Sequence, residues 1–411
     1  MQNFPIDRVR SRFPALSREV GGQPAVYFDA PGGTQACDAA IDAMTAHLSD
    51  GTANAGGAFA TSIETDRLSD DAHAAVADLL GARPEEIAFG PNMTSLTFAV
   101  SRALARDWHE GDELIVTRLD HDANVAPWLQ VAEDRGMTVR WLDFDPATGR
   151  WTLDDLAALL GPKIRLVALG VASNALGTVN PIAEAAKLVH DRSDALVYVD
   201  AVQSAPHLVT DVVAMGADFV ACSPYKFFGP HQGVLWMSPR LDARVRAYKV
   251  RPAGNDGAHR FETGTPSFEG QAGVLGTISY LEWLGELADP NANSRRSRLI
   301  AAMTAATAYE RDLGDRLLAG LATIPGLRLW GPPMMAGRVP TFSFTVAGHE
   351  AHAIANHLAA RGIFAWAGHF YAVEAIDRLG FAGKGALLRV GLCHYNTAEE
   401  VDRLIAALAL L

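Results

Sequence analysis

The sequence is poor in cysteine, and its few cysteines are scattered. Cys37, Cys222 and Cys393 are far apart, and none belongs to a Cys-x-x-Cys pair. Neither a disulfide framework nor a zinc site is therefore indicated, and the sequence predicts no metal site. We expect the three thiols to be small buried apolar groups.

Long apolar segments and lysine-rich runs are also missing. The longest apolar run near the C-terminus, LIAALALL, is too short to cross a bilayer. The first residues, MQNFPIDRVRSRFPAL, lack the apolar core of a signal peptide. The formal net charge of −12 disfavours nucleic acid and anionic membrane surfaces as main partners. These absences predict a cytoplasmic protein that acts on a small molecule.

The order of apolar runs indicates the fold class. The 411 residues, 49% of them hydrophobic, can bury a large core divided between two or more lobes. In the first two thirds, β-branched runs such as ELIVTRL and IRLVALG alternate with helical patterns such as NVAPWLQVAEDR. This alternation predicts an α/β fold with a mostly parallel sheet covered on both faces. The C-terminal part, with TFSFTV and a last amphipathic helix, predicts a smaller α+β lobe.

Two stretches of the larger part stand out. No Gly-x-Gly-x-x-Gly follows an early strand, which disfavours a dinucleotide dehydrogenase. In FGPNMTSLTFAV, Thr94 and Ser95 instead follow a strand and open a helix, whose free amide groups suit a phosphate; an ordinary helix cap is the alternative for Thr94. The stretch from Ser238 to Phe261 is irregular, and we expect it to wrap over the sheet or to reach a neighbouring subunit.

One of the chain's five lysines has an unusual setting. Lys226 lies in ACSPYKFFGP, directly after the apolar stretch ADFV. Lysine is almost never fully buried unless it is paired, so an apolar setting favours its neutral, nucleophilic form. Lys226 is therefore a candidate imine former, and a solvated loop residue is the alternative.

Other polar residues follow the same set of predicted strands, where ligands of parallel sheets collect. They are His121 in LDHDAN, Asp200 and Gln203 in ALVYVDAVQ, and Ser223 and Tyr225 in CSPYK. Pyridoxal 5′-phosphate (PLP) needs an amine, a carboxylate for its ring nitrogen, a stacking ring and phosphate donors. Two opposite charges about 4 Å apart attract by roughly 4 kcal/mol at an effective dielectric near 20. Asp200 could thus keep the ring nitrogen protonated, although each residue taken alone could be an ordinary loop or capping residue.

These motifs resemble a known family, the class V aminotransferases of PLP fold type I, and in particular their cysteine desulfurase and selenocysteine lyase branch. The resemblance covers nearly the whole chain and is carried in order by YFDAPGGTQ, DHDANVAPW, SNALGTVNP, VDAVQ, CSPYKFFGP, FETGTP and LLRVGLCHYNT. It implies a PLP-dependent transferase or lyase that forms homodimers with shared active sites. We place a large PLP-binding domain at residues 28–290, and a small α+β domain at residues 1–27 and 291–411.

The resemblance also implies roles for single residues. Lys226 would carry the cofactor covalently, His121 would stack on its ring, Asp200 would pair with its nitrogen, and Gln203 would contact its phenolic oxygen. The groups around the phosphate would be Met93, Thr94, Ser223, Tyr225 and, across a dimer interface, Thr265. The family usually has histidine where Tyr225 stands, and a hydroxyl can still donate to phosphate.

Two further residues of these motifs would bind an amino-acid substrate. Arg389 in LLRVGL resembles the arginine that binds the substrate carboxylate, and its planar fork suits bidentate binding. Asn174 in SNALGT resembles the asparagine near the same carboxylate. A strand arginine that extends to solvent is the alternative for Arg389.

The sequence departs from the desulfurase pattern at the nucleophile. The segment GIFAWAGHFYAVEA, where the family normally offers a cysteine near Tyr371, contains none. Cys222 and Cys393 lie in predicted strands next to site residues, where they lack the mobility that sulfur transfer needs. The stretch ANAGGAFATS also lacks the arginine and histidine common in desulfurases at this loop. We therefore expect chemistry without a cysteine persulfide.

Three reactions remain open within this cofactor class: carbon–sulfur or carbon–selenium lysis without a thiolate, transamination, and epimerisation of an amino acid. All begin with loss of the Cα proton, assisted by Lys226. A true cysteine desulfurase and a PLP-binding protein without turnover stay open as well. The sequence does not choose among them, because fold and motif alone do not fix the reaction.

Overall fold

The computed structural model describes residues 4–383 and 387–411. The strands among these residues are β1 (Glu19–Val20), β2 (Gln23–Pro24), β3 (Val26–Tyr27), β4 (Ile87–Gly90), β5 (Glu113–Thr117), β6 (Thr138–Leu142), β7 (Ile164–Gly170), β8 (Leu196–Asp200), β9 (Phe219–Cys222), β10 (Gly233–Met237), β11 (Leu327–Trp330), β12 (Thr341–Val346), β13 (Ile363–Phe364), β14 (Trp366–Gly368) and β15 (Leu387–Gly391). The α-helices are α1 (Ile6–Arg10), α2 (Asp38–Ser49), α3 (Ala60–Leu80), α4 (Met93–Leu104), α5 (Ala126–Arg135), α6 (Leu153–Leu159), α7 (Ile182–Arg192), α8 (Val212–Met215), α9 (Phe268–Ala288), α10 (Arg295–Leu321), α11 (Ala351–Ala359), α12 (Val373–Arg378) and α13 (Ala398–Leu408).

A seven-stranded sheet forms the centre of the larger part, in the order β4-β10-β9-β8-β7-β5-β6. Strand β10 is antiparallel to both of its neighbours, and the other strands all run in one direction. The predicted mostly parallel α/β fold is confirmed. The antiparallel strand β10 was not anticipated, because its sequence GVLWM is uniformly apolar and buried, without the alternation typical of a half-exposed strand.

Helices cover both faces of this sheet. Because successive strand residues point to opposite sides, each strand contributes side chains to two cores. In β7, Val167 and Leu169 pack into one apolar core with helices such as α3, α7 and α9. Leu166 and Ala168 of the same strand pack into a second core with α4 and α5. All strand residues of β8 are buried, as expected for a strand between two covered faces.

The smaller part is built on the antiparallel sheet β11-β12-β15-β14. Its core also includes residues of β3, because β3 pairs in parallel with β13 through Val26 and Ile363. The predicted domain border near residue 290 falls between α9 and α10. The exact borders stay predictions, and residues 1–3 and 384–386 of the predicted small domain lie outside the described residues.

The stretch from Ser238 to Phe261 is irregular, as expected, with two short 3-10 turns. It lies against the sheet through the buried side chains of Leu241 and Val245. Buried Arg260 holds it together by donating to the carbonyl oxygen of Asp242 at 2.7 Å. Among the described helices, none combines the length and apolar character required to cross a membrane.

Candidate active site

The predicted site residues follow the strands of the large sheet at one edge. Because both β4 and β9 are antiparallel to β10, β4 runs in the same direction as β9. The carboxyl ends of β4, β5, β7, β8 and β9 therefore lie on the same side of the sheet. The residues found after these strand ends are Thr94, His121, Asn174, Asp200, Gln203, Ser223, Tyr225 and Lys226. This is the carboxyl edge at which open α/β sheets bind their ligands.

A cavity of about 920 Å³ opens at this edge. The predicted residues that line it are Thr94, His121, Asn174, Tyr225, Lys226 and Arg389. Met93, Asp200, Gln203 and Ser223 are buried and are not among its described lining residues, although Asp200 lies near enough to Lys226 to affect the Lys226 pKa. Exposed Thr265 instead lines a separate cavity beside Ser95 and Gly264.

Lys226 ends the 3-10 turn Pro224–Lys226, in the connection from β9 to β10. Its side chain is 7% exposed, and its Nζ donates to the backbone carbonyl of Pro31. Burial and the charge of Arg389 lower the pKa of Lys226 to about 7, although Asp200 partly opposes this shift. The amine therefore has a large neutral, nucleophilic fraction near neutral pH, so the solvated-loop alternative for Lys226 is wrong.

This lowered pKa predicts how the cofactor-free protein takes up PLP. Only the neutral amine can attack an aldehyde, so the attachment rate should rise with pH around 7 rather than around 10.5, the ordinary lysine value. Arg389→Gln removes a neighbouring positive charge and should move the midpoint upward. The rate of appearance of the protein-bound cofactor absorbance, measured from pH 5 to 11, checks this. A wild-type midpoint near 10 contradicts the argument.

Asp200 is buried at the end of β8. Its Oδ1 accepts the backbone N–H of Val202 at 2.8 Å. Burial raises its pKa to about 6, while the Val202 amide and Lys226 act in the opposite direction. A second buried carboxyl lies nearby, since burial and the charge of Asp200 raise the pKa of Asp120 to about 7. A cation at this position would favour the ionised form of Asp200.

Gln203 is buried and has one unused side-chain atom. Its Nε2 lies 3.1 Å from Oγ1 of Thr341, and its Oε1 has no partner among the described residues. Exchanging the amide oxygen and nitrogen, which are assigned from the hydrogen-bond network, lets the Thr341 hydroxyl donate and frees the NH₂ group. Either orientation leaves one polar atom of Gln203 available to a bound molecule.

His121 lines the cavity and is neutral. Burial, followed by the charges of Lys226 and Arg389, lowers its pKa to about 3. Its Nδ1 accepts the backbone N–H of Ala123 at 3.0 Å, so the proton resides on Nε2. A neutral imidazole held in this way presents a flat ring face to the cavity.

The N-terminus of α4 forms the predicted phosphate side. Asn92 caps the helix by accepting the Ser95 N–H at 2.8 Å, and the Met93 N–H donates to Oγ of Ser223 at 3.1 Å. The N–H of Thr94 has no acceptor within the described part of the chain and lies at the cavity. Tyr225 borders the same cavity with a pKa raised by burial, so its hydroxyl is a neutral donor.

Arg389 and Asn174 line the cavity and contact each other. Arg389 lies in β15, is 4% exposed, and donates from Nη1 to the backbone carbonyl of Asn174 at 2.9 Å. Its Nε and the Oδ1 of Asn174 have no partners in the described parts of the chain. A buried guanidinium with an unused N–H is suited to bidentate binding of a carboxylate. Arg389 is therefore not a strand arginine that extends to solvent.

The three thiols lie away from the cavity surface. Cys37, Cys222 and Cys393 are all buried, and none lines the cavity as the described residues define it. Burial raises the pKa of Cys37 to about 11 and that of Cys222 to about 12. A thiol in this state is a poor nucleophile. In the loop where the family normally offers a cysteine, Tyr371 is exposed and stacks on His121 with ring centroids 5.6 Å apart.

Comparison with known proteins places this site in a family. A family model described as aminotransferase class-V matches residues 26–404. The chain is 34% identical to a cysteine desulfurase of Yersinia pestis over 99% of this chain and 98% of that protein. It is 32% identical to an aminotransferase-like protein of Gibberella zeae over 100% of this chain and 99% of the relative. The apo structure of a cysteine desulfurase from Thermococcus onnurineus superposes with a TM-score of 0.88 at 25% identity, covering 100% and 98% of the two chains.

The chain therefore belongs to the class V aminotransferase family, as the motifs predicted. It is a PLP-dependent enzyme of fold type I. The residues present fit this cofactor, because the cavity joins a neutral buried amine, a buried carboxyl, an imidazole face and a free helix N-terminal N–H. The residue roles themselves stay predictions.

Sequence reasoning missed two carboxyl groups and one aromatic contact at this site. Asp120 directly precedes His121 and could have been noticed as a second polar residue at the end of β5. Asp29 has a pKa raised by burial to about 6, with Arg389 acting against the rise. Phe370 lies with its ring centroid 4.2 Å from Cζ of Arg389. No sequence pattern indicates that last contact, because it joins a loop to a strand that follows it at a distance.

Proposed function

We propose that this enzyme acts on a small amino acid as a carbon–sulfur lyase or an aminotransferase, without a cysteine persulfide. The observation that carries this proposal is the composition of the cavity. It contains a buried amine in Lys226 and a guanidinium in Arg389 with a free N–H, but no thiol among its described lining residues. The cavity thus offers groups that could bind an amino acid, but its described lining offers no group that could accept sulfur.

Each residue contributes a separate function in this scheme. Arg389 and Asn174 bind the substrate carboxylate, which orients the bond from Cα to its hydrogen. Bound PLP supplies an electron-withdrawing ring. The neutral Nζ of Lys226 takes the proton from Cα, which a lysine with an ordinary pKa could not do near pH 7. Asp200 would pair with the ring nitrogen of PLP, and His121 would face its ring. The Thr94 N–H with Ser223 and Tyr225 would receive the phosphate.

The choice among lysis, transamination and epimerisation depends on where Lys226 returns the proton and on the substrate side chain. The deciding experiment incubates the purified holoenzyme with a panel of amino acids. Sulfide with pyruvate identifies a lyase. A keto acid whose amino nitrogen stays with the enzyme identifies an aminotransferase, and the opposite enantiomer of the substrate identifies an epimerase. Inactivity toward the whole panel contradicts the proposed function and favours a PLP-binding protein without turnover.

A true cysteine desulfurase is the second candidate, favoured by the name of the Yersinia relative. Replacing Cys37, Cys222 and Cys393 together by alanine or serine separates the two. We expect turnover of the true substrate within about threefold of wild type, since small changes at buried positions cost packing rather than chemistry. Persulfide on one cysteine after incubation with L-cysteine, with loss of activity in the matching single variant, contradicts this expectation.

We also propose that two copies associate and share their sites. This is supported by the position of Thr265, which lies in a cavity separate from that of Lys226. Exposed large apolar side chains, among them Phe59, Tyr248 and Val250, are also typical of an interface. The molar mass in solution, measured by light scattering, tests the dimer. The cytoplasmic location stays a prediction.

A further inference from the structure

The loop that replaces the expected thiol segment has an unusual backbone. Phe370 and Tyr371 are consecutive and have φ values of 55° and 56°. Residues other than glycine rarely adopt this left-handed conformation, because their Cβ then crowds the following carbonyl oxygen. Such a pair persists only where the surroundings hold it, and it is typical of functional sites.

Phe370 is held by the two residues assigned to the substrate carboxylate. Its backbone carbonyl accepts the Nδ2 of Asn174 at 2.8 Å. Its ring covers the guanidinium of Arg389 at 4.2 Å. Arg389 in turn donates to the backbone carbonyl of Asn174 at 2.9 Å. Through these three contacts, Phe370, Asn174 and Arg389 each touch the other two, so none of them can reorient alone.

Tyr371 anchors the same loop to the large part of the molecule. Its carbonyl accepts the backbone N–H of Asp122 at 2.7 Å, and its ring stacks on His121 at an interplanar angle of 25°. The N–H of Tyr371 also donates to Nδ1 of His369 at 3.1 Å. The left-handed pair is thus fixed from both sides, which explains how the backbone conformation is maintained.

We propose that Phe370 is a positioning residue that makes binding of the substrate carboxylate selective, an inference that rests on the proposed function. The ring blocks one face of the Arg389 guanidinium, so a carboxylate approaches only along its edge, where Nε is unused. The carbonyl of Phe370 accepts one N–H of the Asn174 amide group and so fixes its orientation, and the second N–H of that group is the donor for a carboxylate. The ring also stabilises the buried cation through a cation–π contact.

The test compares L-alanine with L-alaninamide, which keeps the amine and lacks the carboxylate. Both are titrated into the holoenzyme while the cofactor absorbance is followed. Phe370→Leu should weaken binding of L-alanine about three- to thirtyfold, the range of a desolvated cation–π contact. Binding of L-alaninamide should change less than about twofold, because it makes no ionic contact with Arg389. Phe370→Tyr, which keeps the ring, should restore the wild-type affinity for L-alanine.

A matched control makes the same chemical change elsewhere. Phe381 packs on Trp330 and has no contact with Arg389, so Phe381→Leu should leave both titrations unchanged. Equal weakening of both compounds by Phe370→Leu would show a merely structural role and overturn the inference. No weakening of either compound would overturn it as well.

Arg389→Gln distinguishes failure of the inference from failure of the proposed function. If this variant loses the preference for L-alanine over the amide while Phe370→Leu keeps it, only the role of Phe370 is wrong. If Arg389→Gln keeps the preference, the carboxylate assignment is wrong and the proposed function loses its main support. A wild-type protein that responds to neither compound contradicts the proposed function itself.

Discussion

Lys226→Ala is expected to reduce turnover by at least about a thousandfold, which lies within the usual range for removal of a positioned proton-transfer group. The variant loses the only amine that lines the described cavity, so the Cα proton has no acceptor of suitable pKa there. The variant should still fold, because alanine removes a buried polar group and leaves the backbone turn intact. Steady-state turnover on the substrate found in the amino-acid panel measures the effect.

A surface lysine provides the control for this change. Lys187 is exposed and pairs with Asp191 at 2.5 Å, so Lys187→Ala should retain wild-type turnover. Turnover by Lys226→Ala within tenfold of wild type would mean that another group takes the proton. A parallel loss in Lys187→Ala would mean that the assay reports folding and not chemistry.

Asp200→Asn is expected to retain cofactor and fold but to lose about a hundred- to a thousandfold in turnover. A charge pair about 4 Å apart at an effective dielectric near 20 contributes roughly 4 kcal/mol, and each 1.4 kcal/mol corresponds to about tenfold in rate. The amide keeps the size of the side chain and can still accept the Val202 N–H, but it no longer favours a protonated ring nitrogen. Cofactor content and turnover are measured on the same sample.

The neighbouring carboxyl is a matched control for that variant. Asp120 is buried, accepts hydrogen bonds from Thr117 and Asn124, and does not line the cavity. Asp120→Asn should lose less than about tenfold, because its amide oxygen can accept from Asn124 while its NH₂ group donates to the Thr117 hydroxyl. Equal losses in the two variants would show that turnover responds to any buried change here, and that Asp200 has no special role.

The parts of this site that follow strand ends could be predicted from sequence. His121, Asp200 and Lys226 each come after a recognisable apolar run, and the carboxyl ends of parallel strands meet at one edge. That topological rule is enough to bring residues far apart in sequence into one cavity. The family motifs added Arg389 and Asn174, which contact each other in the structure.

The remaining features depend on contacts that no local pattern encodes. Strand β10 is antiparallel only because the chain turns back after Lys226, and its apolar sequence suits either direction. The left-handed pair at Phe370 and Tyr371 is set by Asn174, Arg389 and Asp122, all distant in sequence. The pKa of Lys226 near 7 results from burial and from Arg389, so residue type alone does not predict it.

The proposed function requires that Lys226 carries the cofactor. The most direct measurement reduces the yellow holoenzyme with borohydride, digests it, and locates the pyridoxyl group by mass spectrometry. We expect the label on Lys226 alone and none on the other four lysines, Lys163, Lys187, Lys249 and Lys384. A label on any other lysine, or the same protein-bound absorbance in Lys226→Ala, would contradict it.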